Sequence, residues 1–216
     1  MIKKYDYLLF DLDGTLTDPG EGITNSVEYA LKKWGIEVED KKELYCFIGP
    51  PLSASFKRYY GFSDEDALKS VEYYREYFRD IGIFENKVYT GIPDTLEKLK
   101  SDGKILVLAT SKPEEFAKRI LERFDLAKYF DFVAGASMDE SRNKKVDVIR
   151  YALDMAGVSD LTRAVMIGDR EQDISGAILN SLDSIGVLYG YGSKDELDGA
   201  GATYIAESVE DIARLV

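Results

Sequence analysis

The chain has 216 residues, of which 45% are hydrophobic and 31% charged, and its formal net charge is −12. This composition is typical of a globular protein with a sizeable core, and the excess of acid argues against nucleic acid or an anionic membrane as the main partner. Histidine is absent, which excludes Ser-His and Cys-His catalytic pairs and histidine-bound zinc. The single cysteine, Cys46, excludes a disulfide within the chain.

We find no pattern typical of a membrane anchor or an export signal. The apolar run at 7–10 is too short for the hydrophobic part of a signal peptide. No run approaches the roughly 20 apolar residues of a membrane helix. We therefore expect a cytoplasmic protein, with a monomer as the default oligomeric state.

The first predicted element is a short buried strand at 7–10, and Asp11, Asp13 and Gly14 follow it directly. Buried carboxylates cost desolvation energy and glycine adds backbone entropy, so something must compensate at this strand end. Side chains two apart on an extended chain point the same way, and both carboxylates can therefore face one ligand. The alternative is a pair of acids on a solvated turn.

Residues 17–88 carry helical patterns and no convincing strand. One apolar stripe follows Asp18 and Pro19, and a second is opened by Ser63 and Asp66 as a helix cap. The stripes consist of Ile23, Val27, Ala30, Leu31 and Trp34, and of Ala67, Val71, Tyr74 and Phe78. The spacing predicts an all-helical domain inserted after the first strand.

From about residue 90 onward, strand-like and helical runs alternate. Strands are predicted at 105–109, 132–134, 164–167, 184–188 and 203–206. Helices are indicated between them, one beginning at Pro113, one ending at Gly157 and the last capped by Ser208 and Asp211. This alternation predicts an α/β fold with a doubly wound, Rossmann-like parallel sheet.

Acidic residues also follow a second strong strand of this sheet. Asp169 and Asp173 come after the strand at 164–167, and in such sheets ligands bind beyond the carboxyl ends of the strands. Carboxylates about 4 Å apart repel by roughly 1 to 4 kcal/mol, and a magnesium ion would reverse that sign. The alternative for Asp173 is a favourable contact with the positive end of a helix.

Two further segments could bind an anion at the same edge. Thr110, Ser111 and Lys112 offer a hydroxyl group and backbone N–H groups before a helix, although a plain helix cap has the same pattern. Lys144 or Lys145 could reach a phosphoryl group, or the two could belong to a solvated charge run.

Together these motifs resemble the haloacid dehalogenase (HAD) superfamily, in particular its phosphoglycolate-phosphatase-like branch with a helical C1-type cap. The matching segments are 11–16, 108–113, the lysine at 144 or 145, and 168–173. The resemblance covers essentially the whole chain. It implies a HAD-type core formed by 1–16 and 89–216, and a helical cap at 17–88.

The resemblance also implies an activity, a Mg²⁺-dependent phosphatase that works through an aspartyl phosphate. It implies that Asp11 is the nucleophile and a magnesium ligand. Asp13 would be the general acid and base, and its backbone carbonyl would also bind the metal. Asp169 would bind magnesium directly, with Asp173 beside it.

The remaining implied roles concern the substrate. Thr110 and the Ser111 N–H would hold the phosphoryl group together with a lysine, and we prefer Lys145 because Lys-Val-Asp-Val-Ile resembles this branch's motif. Lys57 and Arg58 in the cap are candidates for a second anionic group of the substrate, with a solvated basic face as the alternative.

Substrate identity stays open at this point. Phosphoglycolate, sugar phosphates and nucleoside monophosphates are all small phosphomonoesters that such a site could hydrolyse. A phosphosugar mutase on the same scaffold is the nearest alternative activity. A receiver-type signalling domain that is phosphorylated on an aspartate is a more distant one.

Overall fold

The computed structural model describes residues 5–139 and 141–216. The chain divides into two compact units, one made of the residues up to Thr17 with Val88–Val216, the other of Asp18–Lys87. Across the described ranges, no helix has both the length and the apolar character needed to cross a membrane.

Eight strands, nine α-helices and four short 3₁₀ helices occur within the described ranges. The strands are β1 (Tyr7–Phe10), β2 (Thr17–Asp18), β3 (Lys87–Val88), β4 (Ile105–Pro113), β5 (Phe132–Ala136), β6 (Ala164–Gly168), β7 (Asp183–Val187) and β8 (Tyr204–Ala206). The helices are α1 (Gly20–Lys33), α2 (Leu52–Tyr60), α3 (Asp64–Phe78), α4 (Ile92–Ser101), α5 (Glu114–Arg123), α6 (Lys145–Met155), α7 (Glu171–Leu179), α8 (Lys194–Ala200) and α9 (Val209–Leu215).

Six strands of the first unit form one parallel sheet in the order β5-β4-β1-β6-β7-β8. The central strand, β1, pairs in parallel with both β4 and β6. Strand order therefore runs outward in two directions from β1, which places a topological switch point beside it. Ligands bind at such a point, beyond the carboxyl ends of the strands. The predicted α/β class is confirmed.

The interior of this sheet is apolar, as uninterrupted strand patterns require. Leu9, Val107 and Met166 from three neighbouring strands are fully buried in one cluster with Ile149 of α6. Burial of this kind is the main source of folding free energy, at about 25 cal/mol for each Å² of apolar surface removed from water. The packed interior leaves the strand ends as the place where polar side chains gather.

Helix boundaries in the first unit follow the predicted signals closely. Helix α5 begins directly after Pro113, and α9 carries the reciprocal cap between Ser208 and Asp211. Strand β4 continues to Pro113, beyond the predicted end at 109. Helices α4 and α8 were not among the predicted elements.

The second unit contains helices α1, α2 and α3. Four members of the first predicted stripe are buried, but Trp34 lies just beyond α1 and is 38% exposed. Its indole N–H donates to Ser70 Oγ at 2.9 Å, and its ring contacts that of Phe62. Trp34 therefore packs at the surface of this unit, contrary to the prediction. Ser63 caps α3 as expected and accepts a hydrogen bond from the Asp66 N–H.

Candidate active site

Three acids from two strand ends lie together at the carboxyl edge of the sheet. Asp11 follows β1, and its backbone N–H donates to the Ile167 carbonyl at 2.9 Å, which fixes it beside β6. Asp169 and Asp173 follow β6. Each of the three carboxylates offers an oxygen within 4.8 Å of those of the other two, and all three side chains are buried.

A buried lysine is the counter-charge of this acidic cluster. Lys145 Nζ lies 2.8 Å from Asp11 Oδ1 and 2.8 Å from Asp173 Oδ1, and it donates to the Ala109 carbonyl at 3.1 Å. Burial alone would lower the pKa of Lys145, but the two carboxylates raise it above its ordinary value. Its neighbour Lys144 is the N-cap residue of α6 instead.

Asp13 is paired with a different lysine. Its carboxylate is 2.5 Å from Lys112 Nζ, and both side chains are almost completely buried. Burial raises the pKa of Asp13 above its ordinary value, although the Lys112 ammonium opposes that rise. The two carboxylates that follow β1, Asp11 and Asp13, are thus held by separate lysines.

Asp169 is the most completely enclosed of the acids. The Tyr191 backbone N–H donates to its Oδ2 at 2.8 Å, and the Thr15 hydroxyl donates to its Oδ1 at 3.4 Å. Burial raises the pKa of Asp169 well above its ordinary value, and the charges of Asp173 and Asp11 add to that rise. Ionisation of this carboxyl group therefore costs free energy, and a cation bound beside it would offset that cost.

Asp173 has two partners on opposite sides. Its Oδ2 accepts a hydrogen bond from the Arg170 N–H at 3.1 Å, which caps the start of α7. Its Oδ1 faces Lys145. Both interpretations offered by the sequence, helix terminus and acidic cluster, therefore describe the same side chain.

The predicted anion-binding segment lies at the end of β4. Thr110 is buried, and its Oγ1 accepts a hydrogen bond from the Lys112 N–H at 3.2 Å. The pairing of β4 with β5 changes register between Thr110 and Pro113, and Ser111 is half-buried in that interval. The chain therefore leaves regular sheet pairing next to the acids.

The two candidate basic residues of the helical unit lie on α2. Lys57 Nζ forms an exposed ion pair with Asp64 at 2.8 Å. The Arg58 guanidinium lies over the Tyr59 ring, 5.4 Å from its centroid.

The donor chemistry of the sheet edge suits a hard divalent cation. Four buried carboxylates and two buried lysines leave a formal charge of −2. Asp11 Oδ1 and Asp173 Oδ1 are buried, and both face the Lys145 ammonium at 2.8 Å. Magnesium prefers carboxylate oxygens and would neutralise this charge.

Two features of the edge were not predicted from the sequence. One is the pairing of Lys112 with Asp13. The other is the loop after β7, whose Tyr191 N–H bonds Asp169. The sequence did contain one signal for this loop, namely its position. It follows β7, and the chain after each parallel strand emerges at the same carboxyl edge of the sheet.

Comparison with known proteins agrees with this geometry. Residues 8–187 match the family model described as haloacid dehalogenase-like hydrolase. A 5'-nucleotidase of Pseudomonas aeruginosa is 47% identical over 194 residues, which cover 90% of this chain and 87% of that protein. Tyrosine-protein kinase PtkA of Mycobacterium tuberculosis is 38% identical, over 93% of this chain and 68% of its own length.

A solved structure shows the same fold at high similarity. It is a crystal structure of a predicted phosphatase from Clostridium acetobutylicum, 54% identical, with a TM-score of 0.95 over 98% of this chain and 97% of that one. The predicted resemblance and the prediction of a phosphatase-type hydrolase are confirmed. The chain belongs to the haloacid dehalogenase-like hydrolase family.

Proposed function

We propose that this protein is a Mg²⁺-dependent phosphatase that hydrolyses a small phosphomonoester through a phosphorylated Asp11. The observation that carries the proposal is the buried cluster of Asp11, Asp169 and Asp173 around Lys145 at the carboxyl edge of the sheet. Burying three acids costs folding free energy, and chemistry at this edge explains why they are there.

The proposed reaction has two steps at phosphorus. In the first, an Asp11 oxygen forms a bond to phosphorus while the bond to the leaving oxygen breaks, and Asp13 gives that oxygen its proton. In the second, water attacks the aspartyl phosphate, Asp13 takes a proton from the water, and Asp11 is released with inorganic phosphate. The raised pKa of Asp13 supports its role as the acid of the first step.

The other groups of the edge hold the metal and the phosphoryl group. The proposed metal ligands are Asp11, the backbone carbonyl of Asp13, Asp169 and Asp173. When bound, Mg²⁺ offsets the clustered negative charge and draws electron density from the phosphoryl oxygens. The proposed contacts to the phosphoryl group are Thr110, Ser111 and Lys145.

The substrate class to test first is the nucleoside 5'-monophosphates. The reason is the relative named 5'-nucleotidase, which is 47% identical over most of both chains. Phosphoglycolate and sugar phosphates are the other members of the panel.

We further propose that 17–88 is the family's cap domain, with Lys57 and Arg58 as its candidate contacts to a second anionic group of the substrate. We also propose that the protein is a cytoplasmic monomer.

Phosphate release from this panel tests the proposal. With Mg²⁺, at least one phosphomonoester should be turned over many times, and chelation followed by added Mg²⁺ should stop and restore the reaction. Failure to release phosphate from any member of the panel in Mg²⁺ would contradict the proposed activity. Full activity in chelator would contradict the metal assignment only.

The same samples separate the alternative activities. A mutase would isomerise a hexose 1-phosphate rather than release phosphate from it. A receiver-type domain would be phosphorylated once and would not turn over. Because one relative is named a tyrosine-protein kinase, incubation with ATP and detection of phosphotyrosine belongs in the same series.

A further inference from the structure

We propose that the loop at 189–192 positions Asp169 for metal binding. The loop follows β7 (Asp183–Val187) and lies against Asp169 at the carboxyl edge of the sheet. It acts through Asp169 and has no proposed contact with substrate, so its members are positioning residues. This inference rests on the proposed role of Asp169 as a metal ligand.

The first contact is a hydrogen bond that fixes the carboxylate. The Tyr191 backbone N–H donates to Asp169 Oδ2 at 2.8 Å, whereas Asp169 Oδ1 has the longer contact of 3.4 Å with the Thr15 hydroxyl. One oxygen is therefore held firmly and the other is held weakly. Carboxylates that bind metals are commonly oriented by such partners, and loss of the partner weakens metal binding.

Two glycines allow the loop to approach this closely. A Cβ atom at Gly190 would lie 2.3 Å from the Gly14 carbonyl oxygen and 2.4 Å from Asp169 Cβ. At Gly192 it would lie 1.9 Å from the Asp169 carbonyl oxygen. Real Cβ atoms do not approach other atoms so closely, and any larger residue would push the loop and Asp169 apart.

Tyr189 connects the same loop to the segment after β1. Its hydroxyl donates to the Thr15 carbonyl at 3.0 Å. Gly14, the residue before Thr15, has a φ of +85°, and a Cβ atom there would lie 2.2 Å from Asp169 Oδ2. The loop and the segment at 14–15 thus enclose the Asp169 side chain from two directions and are tied to each other.

A pair of glycine substitutions tests the inference. Gly190→Ala introduces the predicted clash, whereas Gly199→Ala in α8 meets no atom within 4 Å and is the matched control. We expect calorimetric titration with Mn²⁺ to give a dissociation constant raised by about tenfold or more for Gly190→Ala. Gly199→Ala should match the wild type. Rates of Gly190→Ala should recover partly at high Mg²⁺, which a general loss of structure would not allow.

The outcomes separate this inference from the proposed function. A folded Gly190→Ala variant that binds Mn²⁺ like the wild type overturns the inference, while phosphate release by the wild type still supports the function. If the Asp169→Asn variant binds Mn²⁺ as tightly as the wild type does, both the inference and the metal assignment are wrong. If Gly190→Ala does not fold, Tyr189→Phe decides instead. It removes one hydrogen bond and should weaken Mn²⁺ binding about threefold, and an unchanged constant overturns the inference.

Discussion

An ion pair of the helical unit and an ion pair at the edge of the sheet lie in very different environments. In the helical unit, Lys57 and Asp64 form a pair whose side chains are 47% and 88% exposed. At the edge of the sheet, the side chains of Lys145 and Asp11 are 5% and 6% exposed. Water screens the first pair, and its contribution to stability is small. The second pair must overcome the desolvation of both charges.

The difference shows where the fold accepts an energetic cost. In the same sheet, Leu8 and Leu9 precede Asp11 on β1 and are fully buried, and apolar groups at the edge would be easier to accommodate than charged ones. Buried charge that a stable core does not need is typical of functional sites. The comparison therefore supports a functional role for the buried pairs and predicts only a small contribution to stability from the exposed ones.

The largest expected effect comes from Asp11→Asn. The amide cannot attack phosphorus, and we expect turnover to fall by about 10⁴-fold or more. The variant also loses one of three clustered negative charges, so its thermal midpoint without metal should equal or exceed that of the wild type. Phosphate release measures the turnover, and thermal unfolding in chelator measures the midpoint. Asp102→Asn, an exposed acid at the end of α4, is the control and should change neither.

A second large effect is expected on stability from Lys145→Met. The substitution leaves Asp11 and Asp173 without their counter-charge in a buried place, and breaking such a pair costs about 3 to 5 kcal/mol. Urea unfolding without metal measures the loss. Mg²⁺ should stabilise the variant more than it stabilises the wild type. A variant as stable as the wild type in chelator would contradict the described role of Lys145.

Lys112→Met should act on Asp13 in a pH-dependent way. Burial raises the pKa of Asp13 and Lys112 opposes that rise, so removing the ammonium raises this pKa further. A carboxyl whose pKa is raised on folding supports stability only while it is protonated. The variant should therefore lose stability relative to the wild type as pH rises from about 4 to 7. Urea unfolding across that range, with Lys98→Met as an exposed control, measures the difference. A difference in unfolding free energy between Lys112→Met and the wild type that stays constant with pH would contradict the pairing of Lys112 with Asp13.

The smallest effect is expected from Lys57→Met. Its partner Asp64 is exposed, and water solvates the Asp64 carboxylate when the lysine is lost. The urea midpoint should stay within error of the wild type. A loss of stability as large as that of Lys145→Met would contradict the contrast between the exposed pair and the buried one.

Much of the fold could be predicted from the sequence because its signals are local. The strands at 7–10 and 164–167 are short apolar runs, and Ser208 with Asp211 is a capping signal that needs no tertiary information. Helix α8 has a single buried apolar side chain, Leu197, and so offered no stripe. Trp34 follows the stripe of α1 but lies past its end, where the chain turns it outward.

The meeting of Asp11, Asp169 and Lys145 could be predicted in outline, since the carboxyl ends of parallel strands share one edge. Their individual partners could not. Whether Asp13 faces Lys112 depends on how the chain leaves the sheet after β1 and β4. The approach of Gly190 to Asp169 depends on a loop conformation that no periodicity encodes.

The most direct test of the central claim is a rapid-quench measurement with a radiolabelled phosphomonoester that the enzyme hydrolyses. In Mg²⁺, acid quenching during turnover followed by peptide mapping should place the label on Asp11, and Asp11→Asn should carry none. Label on another residue, or turnover by the wild type with no label on the protein at any quench time, would contradict a phosphorylated Asp11.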